Sequence, residues 1–273
     1  MTPMNECLKV AADWIRDADG ILITAGDGMG IDSGLPDFRS VGGFGRAYPA
    51  LKADGISFED IANGEALRHD PVRAWGFYGH RLNLYRRTVP HEGFEILRRW
   101  ASEKERGAFI FTSNGDGQFQ KVGFPIDRIL ECYGSIHVLQ CSRPCSHHVW
   151  SVGELHCEVD EERCVLTSPL PRCPNCGSIA RPNILMFDDR DWIETRVKRQ
   201  RMRFEAWLLS IDRLVVVELG AGLAIPTIRR TSERNGPHVI RINIHELAID
   251  PSIGIGLKGR TLDLLRTLDG HAG

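Results

Sequence analysis

Long apolar runs are missing from this sequence, and no stretch is long and apolar enough to span a membrane. A one-sided charge is missing too. Lys and Arg number 34 against 36 Asp and Glu, a net charge of −2, so no global basic field argues for a nucleic-acid partner. The basic clusters at Arg86-Arg87, Arg98-Arg99 and Arg196 to Arg203 read as solvated helix faces. Internal repeats and low-complexity segments are absent, which argues against solenoids and linker-rich chains. The N-terminus also lacks the charged-then-apolar pattern of an export signal, so the expectation is a cytoplasmic protein. Met1 to Asp19 reads instead as an amphipathic helix with Leu8, Ala11, Ala12 and Ile15 on one side.

What is present is enough chain, 273 residues, to bury a core as one larger domain with a smaller insertion. Strands are expected at Gly20 to Thr24, Ala108 to Thr112, Arg128 to Glu131, Ile184 to Phe187, Arg213 to Leu219 and Val239 to Ile244. Helical segments such as Gly93 to Lys104 and Thr195 to Ser210 separate them. That alternation predicts an α/β fold with a doubly wound parallel sheet. Two stretches interrupt it: the aromatic-rich, helical Ala47 to Arg87, and Cys141 to Ala180, which holds six of the eight cysteines.

Clustered cysteines in such a chain favour a metal over disulfides. Cys141 and Cys145 form one pair, Cys173 and Cys176 another, with 27 residues between the pairs. Brought together they make a tetrahedral sulfur site, the closed geometry of structural zinc. The second pair, followed by Gly177, has a zinc-knuckle spacing. Cys157, Cys164, His147, His148 and His156 are rival ligands in the spacer.

Ile21 to Ser40 is the most informative segment: a β-branched apolar run, then Gly26, Gly28, Gly30 and Gly34, then Pro36-Asp-Phe-Arg39. Glycines after a strand let backbone approach a phosphate. By themselves they equally describe a tight turn. An ordinary dinucleotide fold continues into a helix and a second strand. This chain continues instead into a polar loop. Gly26-Asp-Gly-Met-Gly-Ile-Asp-Ser-Gly-Leu-Pro-Asp-Phe-Arg39 resembles the signature of the sirtuins, NAD-dependent protein deacylases. Asp27 and Gly30 depart from it, standing where alanine and serine are usual. A carboxylate at Asp27 repels a pyrophosphate unless it turns away or is protonated.

The resemblance covers nearly the whole chain and implies a Rossmann-like NAD-binding domain made of residues 1–46, 88–140 and 181–273. A small domain follows from the helical module 47–87 and the zinc ribbon 141–180. It implies cofactor contacts from Gly26, Asp27, Gly28, Asp37, Phe38 and Arg39, and from Asn114 and Asp116 of Thr112-Ser-Asn-Gly-Asp116. Later motifs add Gly220, Gly222 and Asn243. Ser113 and Gly115 replace the family's glutamine and an apolar pocket residue, and Gly222 stands where serine is common. In Glu131-Cys-Tyr-Gly-Ser-Ile-His137, Tyr133 occupies the place of the family's general-base histidine. Histidine titrates near ~6.5 and tyrosine near ~10, so an unperturbed Tyr is neutral at pH 7 and donates rather than accepts. Losing such a base costs about 10²–10⁴-fold. Tyr133 is then either an inactivating change or native divergence; Asp27, Gly115 and Asp188 favour divergence. His137 is a weak substitute for the base.

Tyr78 and Arg81 stand three apart on one helical face. A phenol and a guanidinium make a carboxylate receptor. The pair resembles the Tyr-x-x-Arg of the sirtuin branch that removes succinyl, malonyl and glutaryl groups. A plain amphipathic helix would instead bury Trp75 and Phe77 and solvate Arg81. Arg181 to Phe187 resembles the segment where an extended substrate peptide adds a strand, with Phe187 flanking the acyl-lysine tunnel. The expected function is NAD-dependent lysine deacylation, giving nicotinamide and O-acyl-ADP-ribose, with an acylated lysine as partner. A non-catalytic NAD or acyl-lysine binder, and an NAD hydrolase or ADP-ribosyltransferase, are the alternatives.

Overall fold

A computed structural model describes residues 4–38 and 42–272. Six strands form one parallel sheet: β1 Gly20–Ala25, β2 Ala108–Thr112, β3 Ile129–Glu131, and, later in the chain, Leu214–Leu219, Val239–Asn243 and Gly254–Lys258. Between them lie β4 Gly134–Cys141, β5 Val149–Ser151, β6 Val159–Asp160, β7 Val165–Leu166 and β8 Ala180–Ile184, which makes the late strands β9, β10 and β11. The sheet order is β11-β10-β9-β1-β2-β3, with Ile21 beside both Ala108 and Val215. Strand order reverses at β1, the place where an open α/β sheet leaves a crevice at its carboxyl edge.

Both faces of the sheet are covered, which is why β1 is buried along its whole length. Ile21, Ile23 and Ala25 point one way, into a core shared with Leu8, Ala11 and Ile15 of the helix Met4–Asp17 and with Leu97 and Leu265. Leu22 points the other way, into a core with Phe109, Phe204 and Trp207. The alternation follows from the two-residue period of a strand.

A second unit packs beside this sheet. β4 pairs antiparallel with β5 and β8, and β6 pairs with β7. Ile136, Leu139 and Ala180 share a core with Trp75, Phe77, Tyr78 and Leu82 of the helix Pro71–Arg87. Asp70 starts that helix by accepting the Arg73 N–H at 3.0 Å, with Pro71 in its first turn. Gly134 lets β4 and β8 close: its φ is +82°, and a Cβ there would lie 1.9 Å from the Asn183 carbonyl oxygen.

Two expectations about strands are corrected. Ile184 to Phe187 is not a strand of the parallel sheet; the strand is Ala180–Ile184, and it is antiparallel to β4. The apolar run beyond it crosses between the two units, with the Leu185 N–H on the Tyr133 carbonyl and the Phe187 N–H on the Ala62 carbonyl, both 2.9 Å. The sixth parallel strand, Gly254–Lys258, carries two glycines in five residues, which hides its alternation.

Candidate active site and metal centre

The carboxyl ends of β1 and β2 face the second unit across a cavity of about 250 Å³. Its wall brings together Asp27, Phe38, Tyr78, Arg81, Asn114, Asp116, Tyr133 and Phe187, residues spread over 160 positions of sequence.

Asn114 follows β2. Thr112 Oγ1 accepts the Asn114 backbone N–H at 3.0 Å and donates to the Ala25 carbonyl at 2.9 Å. The Asn114 amide donates to the Gly26 carbonyl at 2.9 Å, and its buried Oδ1 has no partner among the described residues. A buried acceptor left unpaired at a cavity wall is a place for a ligand donor. Asp116 is 6% exposed. Burial pushes its carboxyl up to about 6, with Glu131 and Asp27 adding to the rise and the Gln118 N–H at 2.9 Å opposing it. His137 is not among the described residues of the wall. Its Nε2 lies 2.9 Å from the Asp116 carbonyl oxygen, and burial lowers its pKa.

The glycines divide the work differently from the expectation. The Gly26 N–H donates to the Leu219 carbonyl and the Gly28 N–H to the Gly220 carbonyl, at 2.9 and 3.1 Å. A Cβ on Gly28 would lie 2.7 Å from Gly220 Cα, and Gly220 itself has φ +59°. Gly26, Gly28 and Gly220 therefore let two turns touch backbone to backbone, and two of the N–H groups expected to face phosphate are already used. Gly222 is exposed with open space beside it. The Asn243 amide donates to the Ala221 carbonyl at 3.0 Å and so braces that same turn. Asp37 is partly buried next to Phe38; Arg39 lies outside the described residues.

Tyr133 sits between β3 and β4 and its hydroxyl donates to Thr227 Oγ1 at 2.5 Å, at the start of the helix Thr227–Arg234. Glu131, two residues earlier, is buried and paired with Arg196.

On the same cavity wall, Tyr78 is 1% exposed, and burial pushes its phenol up to about 12 against the pull of Arg81 and Arg181. Trp75 and Phe77 are in the core, as a plain amphipathic helix requires. Arg81 is not solvated in the manner of such a helix. Its guanidinium lies 4.9 Å from the Phe38 ring centre and 5.3 Å from that of Phe77, and it has no carboxylate partner among the described residues.

The four paired cysteines converge, with their sulfurs all within 4.8 Å of one another. Cys141 to Cys176 is 3.6 Å and Cys145 to Cys173 is 3.7 Å. Four sulfurs at about 2.3 Å from a central zinc stand about 3.8 Å apart, so the set is compatible with zinc. Cys141 ends β4, and Gly177, at φ +71°, turns the second pair by returning its N–H to the Cys173 carbonyl. The rivals Cys157 and Cys164 are elsewhere, in the core under the helix Pro71–Arg87, where burial pushes both thiols up to about 11. Four sulfur ligands leave no open position, so such a metal is structural.

Residues 26–217 match the Sir2 family. This chain belongs to the Sir2 family. It is 25% identical over 268 residues to the NAD-dependent protein deacylase 2 of Pseudomonas aeruginosa, covering 97% of this chain and 96% of that one. It is 27% identical over 240 residues to a probable bifunctional ADP-ribose hydrolase/ADP-ribosyltransferase of Fusarium oxysporum, over 84% of this chain and 40% of that protein. A Sir2 homologue solved as its NAD complex superposes with a TM-score of 0.70 at 19% identity, over 98% of this chain and 93% of that one.

Within the Sir2 fold of this chain, three cavity features escaped sequence reasoning. Tyr85 lies one turn beyond Arg81 on the same helix face, a signal that the aromatic periodicity carried. Thr227 meets Tyr133 across 94 positions, which no local pattern reveals. The Leu185, Met186 and Phe187 N–H groups are all taken, Met186 by Asp189 Oδ2 at 3.1 Å, so the edge at 185–187 is not open to an added strand as expected. Asp188, next along, has φ +50°, a conformation that favours glycine.

Proposed function

We propose that this chain is an NAD-dependent protein-lysine deacylase tuned to acyl groups that end in a carboxylate, with turnover held down by Tyr133. The observation that carries it is one cavity whose wall holds Phe38, Asn114, Asp116 and Tyr133 together with Tyr78 and Arg81.

The residues around Asn114 and Asp116 fit NAD. Bound NAD supplies an electrophilic ribosyl carbon and nicotinamide as leaving group. Asn114 offers a ligand donor a buried Oδ1 that has no partner among the described residues. Asp116 offers a carboxylate that accepts an amide N–H. Phe38 gives an apolar cover, and the turns holding Gly26, Gly28, Gly220 and Gly222, braced by Asn243, flank the crevice with Asp27 and Asp37. An acyl-lysine would pass Phe187 and place a distal carboxylate on Arg81 and Tyr78, supplying the anion that Arg81 lacks among the described residues.

Tyr133 stands at the wall where a base is needed. A neutral phenol holds its proton at pH 7, and here it gives that proton to a hydrogen bond with Thr227. Calorimetry should register NAD binding to the protein as it stands. Tyr133→His should raise deacylation of succinyl- or acetyl-lysine peptides by about 10²–10⁴-fold. Intact NAD binding with no gain on either peptide would refute the reading. The Tyr133–Thr227 bond also favours a second reading, a non-catalytic NAD or acyl-lysine binder. Nicotinamide release that needs no acyl peptide would instead mark an NAD hydrolase or ADP-ribosyltransferase.

A further inference from the structure

Among the described residues, Arg81 makes its side-chain hydrogen bonds to Tyr85. Both its Nε and its Nη2 donate to the Tyr85 hydroxyl oxygen, at 3.1 and 2.6 Å. Tyr85 is itself buried, and it lines the same cavity as Tyr78 and Arg81. The three occupy positions i, i+3 and i+7 of the helix Pro71–Arg87, so a single helix face carries them.

A guanidinium has five N–H groups in a planar fork. Two go to Tyr85, and the other three make no hydrogen bond to the described residues. A phenol oxygen has two acceptor sites, and Arg81 fills both. The rings of Phe38, Phe77 and Tyr85 hold the guanidinium from the sides, at 4.9, 5.3 and 5.4 Å. An arginine side chain loses rotamer entropy on binding an anion. A fork already fixed by a phenol oxygen and three aromatic rings loses less.

We propose that Tyr85 is a positioning residue for acyl specificity: it fixes the Arg81 fork so that its free edge meets the distal carboxylate of an acidic acyl-lysine. The proposal rests on the acidic-acyl reading above. Tyr85 acts through Arg81, so its removal weakens the preference for a charged acyl group and not acyl-lysine binding in general.

The test is fluorescence polarisation with two labelled peptides that differ only in carrying succinyl-lysine or acetyl-lysine. The quantity read is the ratio of their affinities within each protein. The native chain is expected to prefer the succinyl peptide, and Arg81→Met to abolish that preference. Tyr85→Phe is expected to lower the ratio about tenfold, the scale of a hydrogen bond to a charged group. Tyr85→Met is read alongside it, and circular dichroism melts of both variants confirm that the affinities compared are those of folded protein.

A ratio within twofold of the native value in Tyr85→Phe and Tyr85→Met, with the preference still erased by Arg81→Met, overturns the positioning role and leaves the acidic-acyl reading standing. A parallel fall of both affinities, with the ratio kept, also overturns it, because Tyr85 is then only a packing residue. No succinyl preference in the native chain overturns the acidic-acyl reading, and the proposal with it.

Discussion

Replacing Asp116 by asparagine should stabilise this protein at neutral pH. Asp116 is 6% exposed, accepts the Gln118 N–H at 2.9 Å, and feels the Glu131 and Asp27 carboxylates. Burial is the main cause that lifts its pKa from the ordinary 3.8 to about 6. Below about pH 3.8 the carboxyl is protonated in the folded and unfolded chains alike and contributes nothing. Between there and about 6 the folded chain keeps a proton that the unfolded chain has released, so stability falls as pH rises. Above about 6 the full penalty applies, about 3 kcal/mol at about 1.4 kcal/mol per pH unit. Asp116→Asn keeps an oxygen for the Gln118 N–H and removes the charge. Urea unfolding at pH 8 should show the variant more stable by about 2–3 kcal/mol, with the gap closing towards pH 4. Any loss of metal at low pH affects both proteins and cancels in the difference. A gap that is constant across pH, or absent at pH 8, refutes the argument that an ionised, poorly compensated carboxylate is buried here.

Gly134→Ala should cost more than about 3 kcal/mol in urea unfolding, because it adds a side chain at positive φ and drives Cβ onto the Asn183 carbonyl. A cost under about 1 kcal/mol would mean that β4 and β8 separate easily. The purified protein should carry about one zinc by mass spectrometry, and Cys173→Ser should lose it and melt at a lower temperature, since a structural metal contributes folding energy directly. Full metal content in that variant would remove Cys173 from the ligand set.

The sheet was legible because five of its six strands are mostly apolar, β-branched-rich runs, even where β9 and β10 carry the buried pair Glu218 and Arg241. Gly254–Lys258 was not legible, since its glycines are there for closeness: a Cβ on Gly254 would lie 2.2 Å from the Val239 carbonyl oxygen. Ile184 to Phe187 misled for the opposite reason. Its apolar side chains look like a strand but line the cavity, and its N–H groups are shared between two units. The cysteine pairs were legible because spacing alone restricts which sulfurs can meet. The glycines after β1 were legible as a close approach, but sequence does not say what approaches; here it is the turn at Gly220.

The departures at Asp27 and Tyr133 fall on side chains, whereas Gly115 is itself a close backbone approach, a Cβ there lying 2.9 Å from the Gly134 carbonyl oxygen. Gly26, Gly28, Gly134 and Gly220 are kept, and each sits where a Cβ would strike another backbone. Gly30, by contrast, replaces a serine, and a Cβ there would press on Leu35 Cδ1 at 2.9 Å, a side chain that itself lines the cavity. The scaffold and the chemistry are thus separable in this chain, which is the reason a single change at Tyr133 is a fair test. The Tyr133 hydroxyl reaches Thr227 because the phenol is long. An imidazole on the same Cα ends short of the Tyr133 oxygen, so Tyr133→His gives up the Thr227 bond and leaves a ring nitrogen at the cavity wall. Nothing in the glycine-packed turns has to move for that exchange. Loss of NAD binding in Tyr133→His, measured by calorimetry, would therefore contradict the separation of scaffold from chemistry, whatever happened to turnover.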